Sequence, residues 1–478
     1  MSNINTLIGR HKEISELQNI MSSGKSELVV VYGRRRVGKT FLIRKFFEDN
    51  YTFSFTGNRN VNNKVQLTLF ARSLCDYSQS DYPEHFNNWF EAFNSLKKYI
   101  VSLPSENRKV IFIDEMPWME SAKSHFVEAL EYFWNGWASG RDDIVFIACG
   151  SATSWMVDHL LHNQGGLFSR VTRQIYLKPF KLSEVEEYLI SRNIKWDHYQ
   201  IIQCYMVFGG IPYYLSLLDS TKSLVQNIDN LFFSSRNAQM LVEYDELYNA
   251  LFKHPDKHMA IVKLLSSKRE GMSRNEIIES SGIVGYGLTK VLSDLERCDF
   301  IYSYTKYGSK KNNLIYRVKD FYTLFYEKFV SEWDIQDGNY WTHIQGTSSV
   351  RSWQGYSYEM VCMLHLDEIK KKLGILLIQT SSSVWRSKDR NHPLQIDLVI
   401  KRADRIINLC EIKFYNQLYS IDKNYEKLLL ERQSVFVSES KTKYSVTTTF
   451  ITTYGLLKNQ HSGIVINEVV MDDLFEKI

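Results

Sequence analysis

Cysteine is scarce and scattered in this chain. Its six cysteines, Cys75, Cys149, Cys204, Cys298, Cys362 and Cys410, form no C-x-x-C pair. That argues against a zinc site or a disulfide framework and fits a reducing compartment. Long apolar runs are missing as well, since none approaches the roughly 18 residues a membrane helix needs. The opening residues, Met1-Ser2-Asn3-Ile4-Asn5, lack a basic-then-apolar leader pattern. From these absences a cytoplasmic protein with no membrane partner is expected. Charge of one sign is also lacking. A formal net charge of +4 over 478 residues permits nucleic-acid contact through local patches but does not argue for it. What is present is core material: 44% hydrophobic residues and 14% aromatics exclude disorder as the class. The length implies roughly two to four domains.

The most informative stretch is Val29-Val30-Val31-Tyr32-Gly33-Arg34-Arg35-Arg36-Val37-Gly38-Lys39-Thr40-Phe41. It reads as a buried strand, a glycine-bounded loop and the opening of a helix. Gly33 to Thr40 fits G-x-x-x-x-G-K-[ST] at every fixed position. Gly33 and Gly38 allow the tight turn that points successive N–H groups at one anion. The helix start adds the positive end of its dipole. Lys39 is expected to reach the β- and γ-phosphates and the Thr40 hydroxyl to ligate Mg²⁺. The spacing therefore predicts ATP with Mg²⁺ as the bound species, held by Gly33, Arg34, Arg35, Arg36, Val37, Gly38, Lys39, Thr40 and Phe41.

A second motif follows. Lys109-Val110-Ile111-Phe112-Ile113-Asp114-Glu115 is a buried strand whose end delivers Asp114 to the Mg²⁺ shell, leaving Glu115 as the base for the attacking water. Another apolar strand, Ile144 to Cys149, ends at Gly150-Ser151. There Ser151 either senses the γ-phosphate or the water, or simply closes a strand. Arg170, or less favourably Arg173, is placed to stabilise charge on the transferred phosphoryl group, in its own or a neighbouring subunit; the alternative is a solvated surface arginine. Gly9-Arg10 is a turn feeding a helix, set against the nucleotide base or ribose or serving only as a helix start. Between Lys64 and Leu103 a long, aromatic-rich helical stretch is expected. Strands alternating with helices imply a parallel sheet covered on both faces.

On Ile8-Gly9-Arg10, Gly33 to Thr40, Ile113-Asp114-Glu115, Gly150-Ser151, Leu177-Lys178-Pro179-Phe180 and Phe208-Gly209-Gly210-Ile211-Pro212-Tyr213-Tyr214-Leu215, the chain resembles the AAA-like P-loop ATPases abundant in archaea and many bacteria. The resemblance implies that the element carrying Pro212 lies in a helical lid that closes over the nucleotide. The expected layout is multidomain α/β: a P-loop parallel-sheet core over 1–178, a helical lid over 179–252, a winged helix-turn-helix over 253–328 and a C-terminal α/β domain over 329–478.

In the third segment Ser273-Arg274-Asn275-Glu276 reads as a capping box, and Leu288, Val291, Leu292 and Leu295 as the buried face of a third helix. Gly308-Ser309-Lys310-Lys311-Asn312 would be the tip of a wing. The third helix's outward residues mix Lys290, Asp294, Glu296 and Arg297, so DNA reading and protein packing both stand open.

At the C-terminus, Leu394 to Ile400 and Ile406 to Phe414 read as a hairpin with Asp397 and Glu411 inside apolar runs. Buried acids need compensation. A divalent metal held by Asp397, Glu411 and the Ile412 carbonyl would supply it, with Lys413 orienting a water; a salt-bridged Asp–Lys pair would supply it too. This Asp…Glu-x-Lys arrangement resembles the restriction-endonuclease-like (PD-(D/E)XK) superfamily. Glu359, in Gly355-Tyr356-Ser357-Tyr358-Glu359, matches the helical glutamate that joins such metal sites, whereas Gln395-Ile396 precede Asp397 where the family has proline. Basic residues beside an aromatic, Trp385-Arg386-Ser387-Lys388-Asp389-Arg390, favour nucleic-acid contact nearby. Two outputs stay open. One is an ATPase controlling a DNA-directed, metal-dependent nuclease; the other is an ATP-dependent switch with an inactive nuclease-like binding domain. DNA is the expected partner, and self-assembly is left open.

Overall fold

The structure is a computed structural model that describes residues 7–104, 107–121, 123–162, 166–167, 169–235, 238–309, 313–333, 337–389 and 391–478. The wing tip Lys310-Lys311-Asn312, and Arg390 of the basic segment singled out above, lie outside the described residues. The chain divides into two compact units, one ending at Pro179 and the other starting at Phe180.

The first unit is built on five parallel strands: β1 (Glu27–Tyr32), β2 (Phe53–Thr56), β3 (Lys109–Asp114), β4 (Ile144–Gly150) and β5 (Arg173–Tyr176), in the order β2-β3-β4-β1-β5. β3 and β4 are buried along their whole length, which is why they read as unbroken apolar runs rather than alternating ones. One face packs on an aromatic core of Phe53, Phe70, Trp89, Phe93, Phe126 and Phe133. The expected single helical stretch is two helices, Asn63–Ser78 and Trp89–Ser102. The break has a local cause. Gln79 turns left-handed (φ 52°) after the first helix, the polar run beyond it includes Pro83, and the Asn88 side chain caps the second helix by accepting from the Glu91 N–H.

The second unit opens with helices Leu182–Ser191, His198–Phe208 and Pro212–Ser216, of which the last starts on Pro212 as its first residue. Gly210 is required there, because a Cβ would sit 2.0 Å from the Phe180 carbonyl oxygen. Next come helices Pro255–Ser266, Arg274–Ser281 and Gly285–Arg297, then a small antiparallel sheet of β6 (Met272–Ser273), β7 (Ile301–Thr305) and β8 (Leu314–Val318) in the order β6-β8-β7. Ser273 accepts from the Glu276 N–H while Glu276 returns to the Ser273 N–H. The last part is a mixed sheet of β9 (Thr380–Arg386), β10 (Gln395–Arg402), β11 (Ile406–Lys413), β12 (Ser445–Thr452) and β13 (Val465–Val469), ordered β13-β12-β11-β10-β9. β9, β10 and β11 pair antiparallel, and β11, β12 and β13 parallel. No helix among the described residues is long and apolar enough to cross a membrane.

Helix Ser348–Leu364 ties these parts together. His365, just past its end, is fully buried; its Nε2 accepts from the Leu182 N–H at 3.0 Å and its Nδ1 faces the Val361 carbonyl at 2.8 Å. Lys181 donates to the Leu364 carbonyl and reaches Glu368. Burial pushes the His365 imidazole down to about 3, and the Lys181 charge pushes it the same way. Because the folded value lies below the unfolded one, the unfolded chain binds the extra proton as pH falls below about 6.5. Stability is therefore expected to drop from about pH 6.5 toward 3, by at most about 1.4 kcal/mol per pH unit from this group. Unfolding midpoints measured across that range should show the slope in the wild type and a shallower one in His365→Gln.

Candidate functional site

In the first unit, the loop Gly33–Gly38 leaves β1 and enters helix Lys39–Phe47. Two glycines make the turn: Gly38 has φ 91° and Gly33 φ 142°. At Gly33 a Cβ would also stand 2.4 Å from the Leu177 carbonyl oxygen, so only glycine fits. Lys39 is buried and its ammonium donates to the Gly33 and Arg34 carbonyls at 2.9 and 3.0 Å, which keeps the charge inside the loop. Arg34 and Val37 are buried, Arg35 and Arg36 half-buried, and Phe41 faces outward.

β3 and β4 bring the rest. The Thr40 hydroxyl donates to Asp114 Oδ2 at 2.8 Å, joining the two nucleotide motifs. Glu115 turns left-handed (φ 45°), a strained conformation for a non-glycine residue, and its N–H donates to Asp114 Oδ1 at 2.9 Å. That turn brings its carboxylate to Ser151, whose hydroxyl donates to Glu115 Oε1 at 2.8 Å. The polar strand end therefore positions Glu115. Gly57, which the sequence reading missed, lets β2 close on this turn: its N–H donates to the Asp114 carbonyl at 2.9 Å, and a Cβ would stand 2.6 Å from the Glu115 carbonyl oxygen.

Gly9 and Arg10 both turn left-handed. The buried Arg10 guanidinium donates to the Lys178 carbonyl at 2.7 Å and the Val37 carbonyl at 3.1 Å. These bonds brace the loop against the exit of β5. Arg173 makes an ion pair with Glu16 at 3.9 Å, while Arg170 is exposed. Pro212 belongs to the second unit. A hydroxyl and a carboxylate converging at Thr40 and Asp114 are oxygen donors suited to Mg²⁺, which would neutralise phosphate charge when bound.

The second unit holds a separate polar cavity of about 320 Å³, lined by residues that include Arg269, Glu359, Asp397, Glu411, Lys413 and Arg432. β10 and β11 place Asp397 and Glu411 side by side, and the Ile412 N–H donates to Asp397 Oδ2 at 3.0 Å. Burial, reinforced by the Glu411 and Glu359 charges, pushes the Asp397 carboxyl well above the usual carboxylate range. Burial also works to raise Glu411, but Lys413 and Arg432 outweigh it and hold that carboxylate below its ordinary value. Glu411 Oε1 accepts from Lys413 Nζ at 2.7 Å and from the Tyr425 hydroxyl at 2.6 Å; Oε2 accepts from Arg432 at 2.6 Å. Tyr425 and Arg432, missed in the sequence, lie two turns apart on one face of helix Lys423–Ser440. That spacing was the available signal.

The expected metal set of Glu359, Asp397 and Glu411 does not fit a divalent cation in this arrangement. Both Glu411 oxygens are hydrogen-bonded, and Glu359 accepts from Arg269 and, at 3.4 Å, from Arg317. Among the described residues no three His, Cys, Asp or Glu side chains gather as a ligand set. The chain's own cations take Glu359 and Glu411, and Asp397 accepts from the Ile412 N–H.

Residues 7–218 match the model of an ATPase domain found predominantly in Archaea. An uncharacterised protein of Methanocaldococcus jannaschii is 24% identical over 335 residues, covering 68% of this chain and 68% of its own. An uncharacterised ATP-binding protein of the same organism is 43% identical over 49 residues, 10% of this chain and 83% of that protein. Among solved structures, a Walker-type ATPase of Pyrococcus abyssi covers 68% of this chain and 97% of itself, at a TM-score of 0.49 and 15% identity. The ORC2 protein of Aeropyrum pernix, in ADPNP and ADP complexes, covers 65% and 90%, at a TM-score of 0.42 and 16% identity. The N-terminal part of the chain is an archaeal-type P-loop ATPase domain.

Proposed function

We propose that this protein binds and hydrolyses ATP and that its nucleotide state controls a DNA-directed C-terminal unit. The observation that carries the hydrolytic reading is the Ser151–Glu115 hydrogen bond. It fixes a carboxylate beside the Thr40–Asp114 pair, where a general base for the attacking water belongs. In this reading Lys39 neutralises the phosphates, Thr40 and Asp114 would hold Mg²⁺, Glu115 takes the water's proton, and Arg170 stabilises the leaving charge from its own or a neighbouring copy. The C-terminal unit is read as restriction-endonuclease-like, with Asp397, Glu411 and Lys413 as its reactive group and the three helices before β7 and β8 as a winged helix-turn-helix. A second reading, an ATP-dependent switch whose nuclease-like pocket only binds, is favoured by the arginine partners of Glu359 and Glu411.

One assay separates the two. Purified protein is incubated with linear and circular DNA, Mg²⁺ or Mn²⁺, with and without ATP, beside Lys39→Ala and Asp397→Ala. Cleavage that needs Asp397 and responds to Lys39→Ala is expected for a controlled nuclease. Cleavage unchanged in Asp397→Ala removes the nuclease and leaves the switch.

A further inference from the structure

The pocket in the second unit is lined from two parts of the chain. Asp397, Glu411 and Lys413 stand on the C-terminal sheet, but Arg269 belongs to the connection between helix Pro255–Ser266 and β6. Arg317 lies on β8 of the same small sheet. Both reach Glu359 on helix Ser348–Leu364, one carboxylate oxygen each. The two arginines differ in kind. Arg317 is buried, stacks over the Tyr356 ring at 4.3 Å and donates to the Tyr356 hydroxyl at 3.2 Å, so it is packed in place. Arg269 is about half exposed, with a side-chain relative exposure of 54%, and can swing out without unpacking a core.

On the sheet side the closure rests on Arg432. Arg432 bonds Glu411 through one nitrogen, and its own Nε is buried with no acceptor among the described residues. A single-point bond of this kind lacks the two-pronged geometry that makes arginine–carboxylate pairs strong. Glu359 and Glu411 are thus each met by cations of the chain, while Asp397 accepts from the Ile412 N–H; of those cations Arg269 is the most exposed.

We propose that the pocket is an autoinhibited one: the winged-helix segment, through Arg269 on Glu359, and helix Lys423–Ser440, through Arg432 on Glu411, hold it shut against external cations. Glu359 is the socket of this latch rather than a ligand. Movement of the segment carrying Arg269 away from helix Ser348–Leu364 withdraws one guanidinium and exposes the acids together. The proposal rests on the pocket's geometry and shares with the functional reading only the assignment of the C-terminal unit as DNA-directed.

The test uses the full chain, stripped of nucleotide and metal, titrated with Mn²⁺ and followed by the electron paramagnetic resonance of free Mn²⁺. Asp397→Ala is run in every background, so that only Asp397-dependent binding is counted. Wild type should show none at millimolar Mn²⁺. Arg269→Ala with Arg432→Gln should gain one Asp397-dependent site, with binding tightened about tenfold or more, the scale of losing one charge-assisted hydrogen bond to a buried carboxylate. Arg269→Ala alone, at a half-exposed position that folding tolerates, should give part of that gain; Arg432→Lys, which keeps the charge, should give none. A cooperative thermal unfolding transition of the second unit reports that each variant is folded. Asp397-dependent Mn²⁺ binding in wild type as tight as in the double variant would overturn the proposal. So would folded variants that gain nothing. Failure of every variant to cut DNA removes the nuclease reading and leaves the latch standing, because the readout is metal binding alone.

Discussion

Replacing Glu115 by glutamine is expected to lower ATP turnover by about 100- to 10,000-fold, the usual contribution of a positioned general base. ATP binding should stay nearly unchanged. The separation follows from the site. In the proposed reading the phosphates would be held by the loop amides and Lys39, whereas the Glu115 carboxylate accepts from Ser151 rather than from the loop. Glutamine keeps the shape and can still pair with Ser151, so a loss of turnover isolates proton removal. Ser151→Ala removes one hydrogen bond to a charged group, about 1.5–3 kcal/mol, and so should slow turnover by roughly 10- to 100-fold. Single-turnover hydrolysis and nucleotide-binding titrations on the same preparations check both. Unchanged turnover in Glu115→Gln would place the base elsewhere.

The second large effect concerns stability. Arg317→Met should lower the stability of the C-terminal unit by about 3–5 kcal/mol, the cost of breaking a buried ion pair from one side. Arg317 is buried against Tyr356, and its loss leaves the buried Glu359 with Arg269 as its remaining guanidinium. Adding Glu359→Gln to Arg317→Met should recover part of the loss, because the buried carboxylate left with one guanidinium instead of two is then gone. Thermal unfolding of the single and double variants measures this. Equal destabilisation in both would mean that Arg317 acts through packing on Tyr356 alone.

Much of the first unit is legible in the sequence. The phosphate loop and the Asp114-Glu115 strand end are local patterns, since each depends on one strand and the turn after it. What escaped depends on distant carbonyls. The carbonyls of Lys178 and Val37 that Arg10 meets lie far from it in sequence. The break between helices Asn63–Ser78 and Trp89–Ser102 was missed because the aromatic spacing outweighed Gln79 and Pro83 in the reading. In the C-terminal pocket, Asp397, Glu411 and Lys413 could be picked out because the acids interrupt apolar strands. Their partners could not: Arg269 and Arg317 come from another part of the chain, and only Tyr425 and Arg432 carried a helical spacing that pointed at β11. Sequence named the acids, but which cation each one meets is a property of the fold. The alternative of a salt-bridged acid was open from the sequence, and the structure supplies a fuller version of it than an Asp–Lys pair.

The central claim is that the nucleotide at Gly33–Thr40 sets the state of the unit that begins at Phe180. Amide hydrogen exchange of helix Ser348–Leu364 and strands β10 and β11, compared between ADP and ATP in the hydrolysis-slowed Glu115→Gln protein, tests it most directly. The account predicts protection in these segments that differs between the two nucleotides, with the difference abolished by adding Lys39→Ala. Identical exchange with ADP and ATP, at nucleotide concentrations that saturate the site, would contradict it.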